Sequence, residues 1–129
     1  MTNLITLLRR NLLPQLNVGS VSWAMHRITG VALAIYLLPH FVTINSARGG
    51  PAAFDEALGW YAGPLIAATE YLLVLAVAFH AFNGLRVIAV DFFDLSHTQK
   101  ALFWGVMAAC AAVLLGASFV FLPRMLAPA

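Results

Sequence analysis

"PLIAATEYLLVLAVAFHAFNGLRVIAV", Pro64 to Val90, is the stretch that decides the fold. It is 27 residues long and holds only one acid, one histidine and one arginine in its apolar run, Glu70, His80 and Arg86. The hydrocarbon core of a bilayer takes about 20 apolar residues as an α-helix. Such a stretch reads as a membrane-spanning helix. Working outward, two more stretches qualify, from about Trp23 to Ile44 and from about Ala101 to Leu122. Between the first two lies "NSARGGPAAFDEALGWYAG", whose Gly, Pro and acidic residues read as punctuation. Between the second and third lies "DFFDLSHTQK". Asp94 or Ser96 is expected to cap the third helix, and Pro123 to stop it.

The rest of the composition agrees. Hydrophobic residues make up 62% of the 129 residues and charged residues 9%. Soluble proteins average roughly 45–50% and 25%. Mean hydropathy is +0.89. A soluble fold of this length could not hide so much apolar surface, so the expected class is an all-α membrane protein of three transmembrane helices. The net charge of +2 does not point to nucleic acid, because the seven Lys and Arg residues are scattered. Cys110 stands alone in an apolar run and reads as a small buried hydrophobe.

Basic residues set the orientation. Arg9, Arg10, Arg27, Arg86 and Lys100 fall on one side, and Arg48 and Arg124 on the other. That places the N-terminus in the cytoplasm and the C-terminus outside. Trp23 and Trp104 then lie near the inner interface, and Trp60 and Tyr61 near the outer. The chain divides into an interfacial segment (1–21), a three-helix domain (22–122) and an outer tail (123–129). The start does not fit a cleaved signal, because no apolar core follows Arg9 and Arg10 until Val31. "NLITLLRRNLL" reads as a short amphipathic segment with Leu4, Ile5, Leu8 and Leu12 on one face. Pro39 sits inside the first span, where neighbours or water can satisfy the freed carbonyl.

Ionisable groups inside a span are expensive, so each is a functional hypothesis. His80 lies six residues before Arg86, about 9 Å deeper in the membrane. Its partner is either a carbonyl or hydroxyl of a neighbouring helix, or a metal, above all haem iron. Gly84 follows His80 by four and shares its face. It leaves room either for a flat ring or for a close-packed helix. Arg27 and Arg86 sit at the cytoplasmic ends of their helices. They pair with propionates or a quinone carbonyl, or else snorkel to headgroups. His26 beside them binds a propionate or faces water. Ser22 either donates to the same ligand or caps the helix. His40 lies 13 residues beyond Arg27, about 20 Å along the helix. It therefore cannot share an iron with His80, and it is either a second-haem ligand or an interfacial residue. Glu70 falls at the outer boundary.

"SWAMHRITG" and "HAFNGLRVIAVD" together resemble the cytochrome b556 membrane-anchor family of succinate dehydrogenase. That family's pattern is a serine shortly before His-Arg-x-Thr/Ser-Gly on the first helix, then His-x-x-x-Gly-x-Arg with a trailing Asp on the second. The resemblance covers Ser22 to Asp91 and leans toward the actinobacterial and related bacterial branch. Two positions depart from many members. Trp23 stands where the serine usually does, with Ser22 one earlier, and Val87 replaces a second histidine.

The resemblance implies roles. His80 is the axial ligand of haem b, with the other axial ligand from a second membrane-anchor subunit. His40 is a possible ligand of a second haem. His26 and Arg86 contact the propionates, and Gly84 packs against the haem. Arg27, Ser22 and Trp23 bind quinone, either ubiquinone or menaquinone. The flavoprotein and iron–sulfur subunits of the complex are the implied soluble partners, with the assembly in the bacterial inner membrane. The chain is then part of an enzyme whose flavin and iron–sulfur chemistry lies elsewhere. Two alternatives stand beside this. One is the anchor of a quinol:fumarate reductase. The other is a haem-free structural anchor, with His80 a hydrogen-bonding residue between helices. A small transporter is disfavoured, because three helices without repeats or an acidic relay offer no pathway.

Overall fold

The computed structural model describes residues 17–126, and the described part is helical throughout its long elements. The interfacial segment expected around Leu4 to Leu12 lies outside the described residues. Four α-helices follow in order: α1 (Val18–Ser46), α2 (Pro51–Gly59), α3 (Pro64–Phe93) and α4 (Gln99–Leu126). Short 3-10 turns, Ala47–Gly49 and Leu95–Thr98, connect α1 to α2 and α3 to α4. α1, α3 and α4 are each long and apolar enough to cross a membrane.

Local chemistry explains the ends. Asn17 caps α1, its side-chain oxygen accepting from the Ser20 amide at 2.8 Å. Ser22 is therefore inside the helix, not its cap. Gly50 and Gly63 adopt φ +94 and +125, values open to glycine, and each precedes a proline at the first helical position. These Gly-Pro pairs launch α2 and α3. The loop expected between the first two spans thus contains a nine-residue helix, α2.

Two expected boundaries are corrected. Asp94 does not cap the third helix. It ends α3 in the left-handed conformation, φ +51, with its amide on Val90 O. A 3-10 turn that includes Ser96 intervenes before α4 begins at Gln99. Pro123 does not stop α4, which runs on to Leu126. A proline in the last turn forfeits one backbone hydrogen bond. That turn is also held from the side, since Arg124 pairs with Glu70 of α3 at 2.8 Å. The helices that hold the spans expected at 23–44, 64–90 and 101–122 all extend beyond those bounds. Pro39 lies within α1 without ending it.

α3 is the central element, packed most extensively on α4 and then on α1. The core between them is small: Ala78, Phe79, Val106 and Cys110, with Met25, Leu75, Phe82 and Met107 against it. Cys110 is buried there, as a small hydrophobe would be. Early in α3, the Tyr71 hydroxyl bridges to Leu114 O and Ser118 Oγ of α4, at 3.3 and 3.0 Å. Most large apolar side chains point outward, among them Ile28, Val31, Ile35 and Leu38 of α1. In water that arrangement would leave the hydrophobic effect unused. In lipid it is expected, because the surroundings are as apolar as the side chains.

Candidate functional site

The polar residues of the spans converge where the first half of α1 crosses the second half of α3. The helices run antiparallel, so residues early in α1 meet residues late in α3. His26 and His80 stack face to face, ring centroids 3.9 Å apart and planes 10° apart. Each ring rests against a glycine of the other helix. A Cβ on Gly30 would lie 3.0 Å from His80 Cε1, and one on Gly84 would lie 3.5 Å from His26 Cε1. The arrangement is reciprocal: His26 and Gly30 on α1, His80 and Gly84 on α3, each pair four residues apart. The imidazole of His26 thus lies within ordinary contact range of Gly84.

His80 has a defined hydrogen-bonding state. Its Nδ1 lies 3.1 Å from the His26 backbone oxygen and 3.3 Å from Thr29 Oγ1. A carbonyl oxygen only accepts, so Nδ1 carries the proton. The Thr29 hydroxyl hydrogen is directed to Met25 O at 2.8 Å or His26 O at 3.0 Å. Thr29 Oγ1 therefore also accepts from His80. In the neutral ring Nε2 is left as the bare lone pair, and it forms no hydrogen bond among the described residues.

Arg86 is only 7% exposed, so it does not snorkel to the headgroups. It donates to Ser22 Oγ at 2.9 Å, to Asn83 Oδ1 at 3.4 Å and to the Gln99 carbonyl at 3.5 Å. One guanidinium thereby ties α1, α3 and the start of α4. Asn83, fully buried, donates to Ser22 O at 3.5 Å. Ser22 is 3% exposed and directs its own hydrogen to Gly19 O at 3.2 Å. Among the described residues no carboxylate pairs with Arg86, the one ion pair being Glu70–Arg124.

Beside this network opens a cleft of about 390 Å³, lined among others by Ser22, Trp23, His26, Arg27, Arg86 and Asp91. Trp23 is 61% exposed, and the Arg27 guanidinium lies 4.9 Å over its ring. Two buried polar atoms of the lining residues, His26 Nδ1 and Arg86 Nε, have no partner among the described residues. Orphaned polar atoms are rare in folded proteins and call for a ligand or water.

His40 stays apart. It is exposed in the second half of α1, stacked on Tyr36 with centroids 5.5 Å apart. Among the described residues no three His, Cys, Asp or Glu side chains gather as a metal site. The structure brings together Ser22, Trp23, His26, Arg27, His80, Gly84 and Arg86, and leaves His40 and Glu70 outside. Sequence reasoning missed Thr29, Gly30 and Asn83. The signal was present: His-x-x-x-Gly occurs twice, as "HRITG" and "HAFNG".

The profile of a family described as the succinate dehydrogenase/fumarate reductase transmembrane subunit matches residues 6–122. The chain belongs to this family. Among curated proteins it is similar to the succinate dehydrogenase 2 membrane subunit SdhC of Mycobacterium tuberculosis, 37% identical over 87 residues. It is also similar to the succinate dehydrogenase hydrophobic membrane anchor subunits of Archaeoglobus fulgidus and Halobacterium salinarum, 37% identical over 71 residues and 27% over 78. These matches cover 67%, 55% and 60% of this chain. They span 64%, 61% and 60% of the relatives' own lengths, under two thirds in each case. As a family member with three apolar helices, the chain is a multi-pass membrane protein.

Proposed function

We propose that this family member is the membrane anchor of a succinate:quinone oxidoreductase. It holds haem b together with a second membrane-anchor subunit, and it forms part of the site where quinone receives electrons from the iron–sulfur subunit. The flavoprotein subunit oxidises succinate on the cytoplasmic side, and the N-terminus of this chain lies on that side. The family description covers both succinate dehydrogenase and fumarate reductase. All three relatives are named for succinate dehydrogenase, which favours that direction.

The observation that carries the reading is the cleft lined by His26, Arg27 and Arg86, with the His80 ring stacked on His26 beside it. The residues present suit a haem. His80 holds its Nδ1 proton on a backbone carbonyl and keeps Nε2 as a lone pair, the state an axial ligand needs. Haem supplies reversible one-electron storage within the membrane. His26 and Arg86, which line the cleft, are the residues this chain offers to propionates. Gly84, one turn beyond His80 on the same face, would pack against the haem. His40, stacked on Tyr36 in the other half of α1, is assigned to a second haem only if a ligand comes from another chain of the complex.

Quinone reduction takes two electrons and two protons, and negative charge builds on the quinone oxygens before protonation. Arg27 borders the cleft and is held over Trp23, so its guanidinium is free to stabilise that charge. The Ser22 hydroxyl is engaged on both sides, by Gly19 O and Arg86. Its part is to hold Arg86 at the rim of the site.

The test compares two activities of the purified complex. One is succinate-driven reduction of quinone. The other is succinate-driven reduction of a soluble dye that takes electrons before the membrane. Arg27→Leu is expected to lower the first about tenfold or more and leave the second unchanged. Native quinone reduction in Arg27→Leu would remove Arg27 from the site.

A further inference from the structure

We propose that Thr29 and Gly30 are positioning residues for His80. Together they fix the tautomer and the ring plane of its imidazole, and through them the reduction potential of the iron it binds. This rests on the haem reading above and deepens it.

A histidine that ligates a metal commonly donates its other ring N–H to a carbonyl or carboxylate, and such partners tune the metal. His80 Nδ1–H has two acceptors, His26 O at 3.1 Å and Thr29 Oγ1 at 3.3 Å. The carbonyl is fixed by the helix. The threonine oxygen is an added acceptor, held in place because its own hydrogen is committed to the carbonyls of the preceding turn. Two acceptors on one N–H draw the proton away from the ring and enrich the imidazole in electrons. An electron-rich axial ligand stabilises ferric over ferrous iron.

Gly30 acts on the plane. A Cβ there would stand 3.0 Å from His80 Cε1 and 3.5 Å from Nδ1. The first distance is tighter than most side-chain contacts, so the His80 ring would have to give by a few tenths of an ångström. The His80 ring cannot retreat freely either, because its face is stacked on His26 at 3.9 Å. The imidazole thus has two contacts with α1, the His26 ring on its face and Gly30 near Cε1, and its plane is set by both.

The experiment is a redox titration of the assembled complex, read at the haem bands, with electron paramagnetic resonance of the ferric form. The probes are Thr29→Val, which keeps the shape and removes the acceptor, and Thr29→Ser, which keeps the acceptor. Thr29→Val is expected to raise the midpoint potential, and Thr29→Ser to restore it. Gly30→Ala is expected to change the g-value spread of the low-spin haem, which follows ligand ring orientation. A merely structural role would lower the yield of complex without moving either quantity. Thr29→Val with the native potential would overturn the part assigned to Thr29. Thr29→Ala is the second test of that part if the valine variant fails to assemble. Gly30→Ala with the native g-values would overturn the part assigned to Gly30. A native complex without haem would instead defeat the haem reading itself, so the two failures are told apart.

Discussion

A single buried guanidinium organises one end of the protein. Arg86 bonds to Ser22, Asn83 and Gln99, which sit on three different helices. Removing it strands polar partners in a place where each unsatisfied group costs about 1–3 kcal/mol. Arg86→Leu is therefore expected to lower the melting temperature of the detergent-solubilised complex, followed by loss of helicity on heating. Arg86→Lys is expected to rescue only in part, since an ammonium cannot span three acceptors as a planar fork does. The two glycines make a sharper contrast. Gly84→Ala brings a methyl to an ordinary contact distance, 3.5 Å from His26. Alanine is also the better helix former by roughly 0.5–1 kcal/mol. That variant is expected to assemble with an altered haem band, because Gly84 packs against the haem. An unchanged band would mean that Gly84 does not face the haem. At this scale the sequence revealed the residues that ionise, because burying charge is conspicuous. Asn83 and Thr29 do not ionise. Their meaning depends on a helix crossing that joins positions far apart in the chain, Thr29 to His80 and Ser22 to Asn83.

At the scale of elements, hydropathy was enough to find all three spans and too coarse to end them. α1 begins at Val18 because Asn17 caps it, and Ser20 and Ser22 continue the helix although they are polar. α2 escaped notice because its nine residues mix acidic and apolar side chains, although Gly50-Pro51 marks its start. Pro123 was misleading for a different reason. Its effect depends on how many backbone bonds remain downstream, and on whether another helix holds the end. The Glu70–Arg124 pair that holds it is partly exposed, 30% and 45% by side chain. Pairs of that kind contribute up to about 1 kcal/mol. Glu70→Gln is expected to leave assembly and quinone reduction intact, with at most a small fall in melting temperature that shrinks further at high salt. A large loss of activity would give Glu70 a functional part that its ion pair does not suggest.

Over the whole molecule, most of the apolar surface faces outward and the polar groups that matter gather at one end. That end carries Arg27, Arg86 and Lys100, while Arg48 and Arg124 stand at the other. The distribution makes a prediction about topology. In a Cys110→Ala background, Ser96→Cys is expected to react with a membrane-impermeant thiol reagent only after the cells are opened. Asp55→Cys, on α2, is expected to react in intact cells. The reverse pattern would invert the chain and carry the cleft away from the soluble partners.

The central claim is that the stacked histidines at the α1–α3 crossing serve a haem through His80. The reduced-minus-oxidised spectrum of the purified complex tests it most directly, recorded for the native chain, His80→Ala and His40→Ala. A b-type signal is expected in the native complex that is lost in His80→Ala, or falls by about half there if a second haem is present. If His40 serves a second haem, His40→Ala loses part of the signal. An undiminished signal in His80→Ala, or no haem in the native complex, would contradict it.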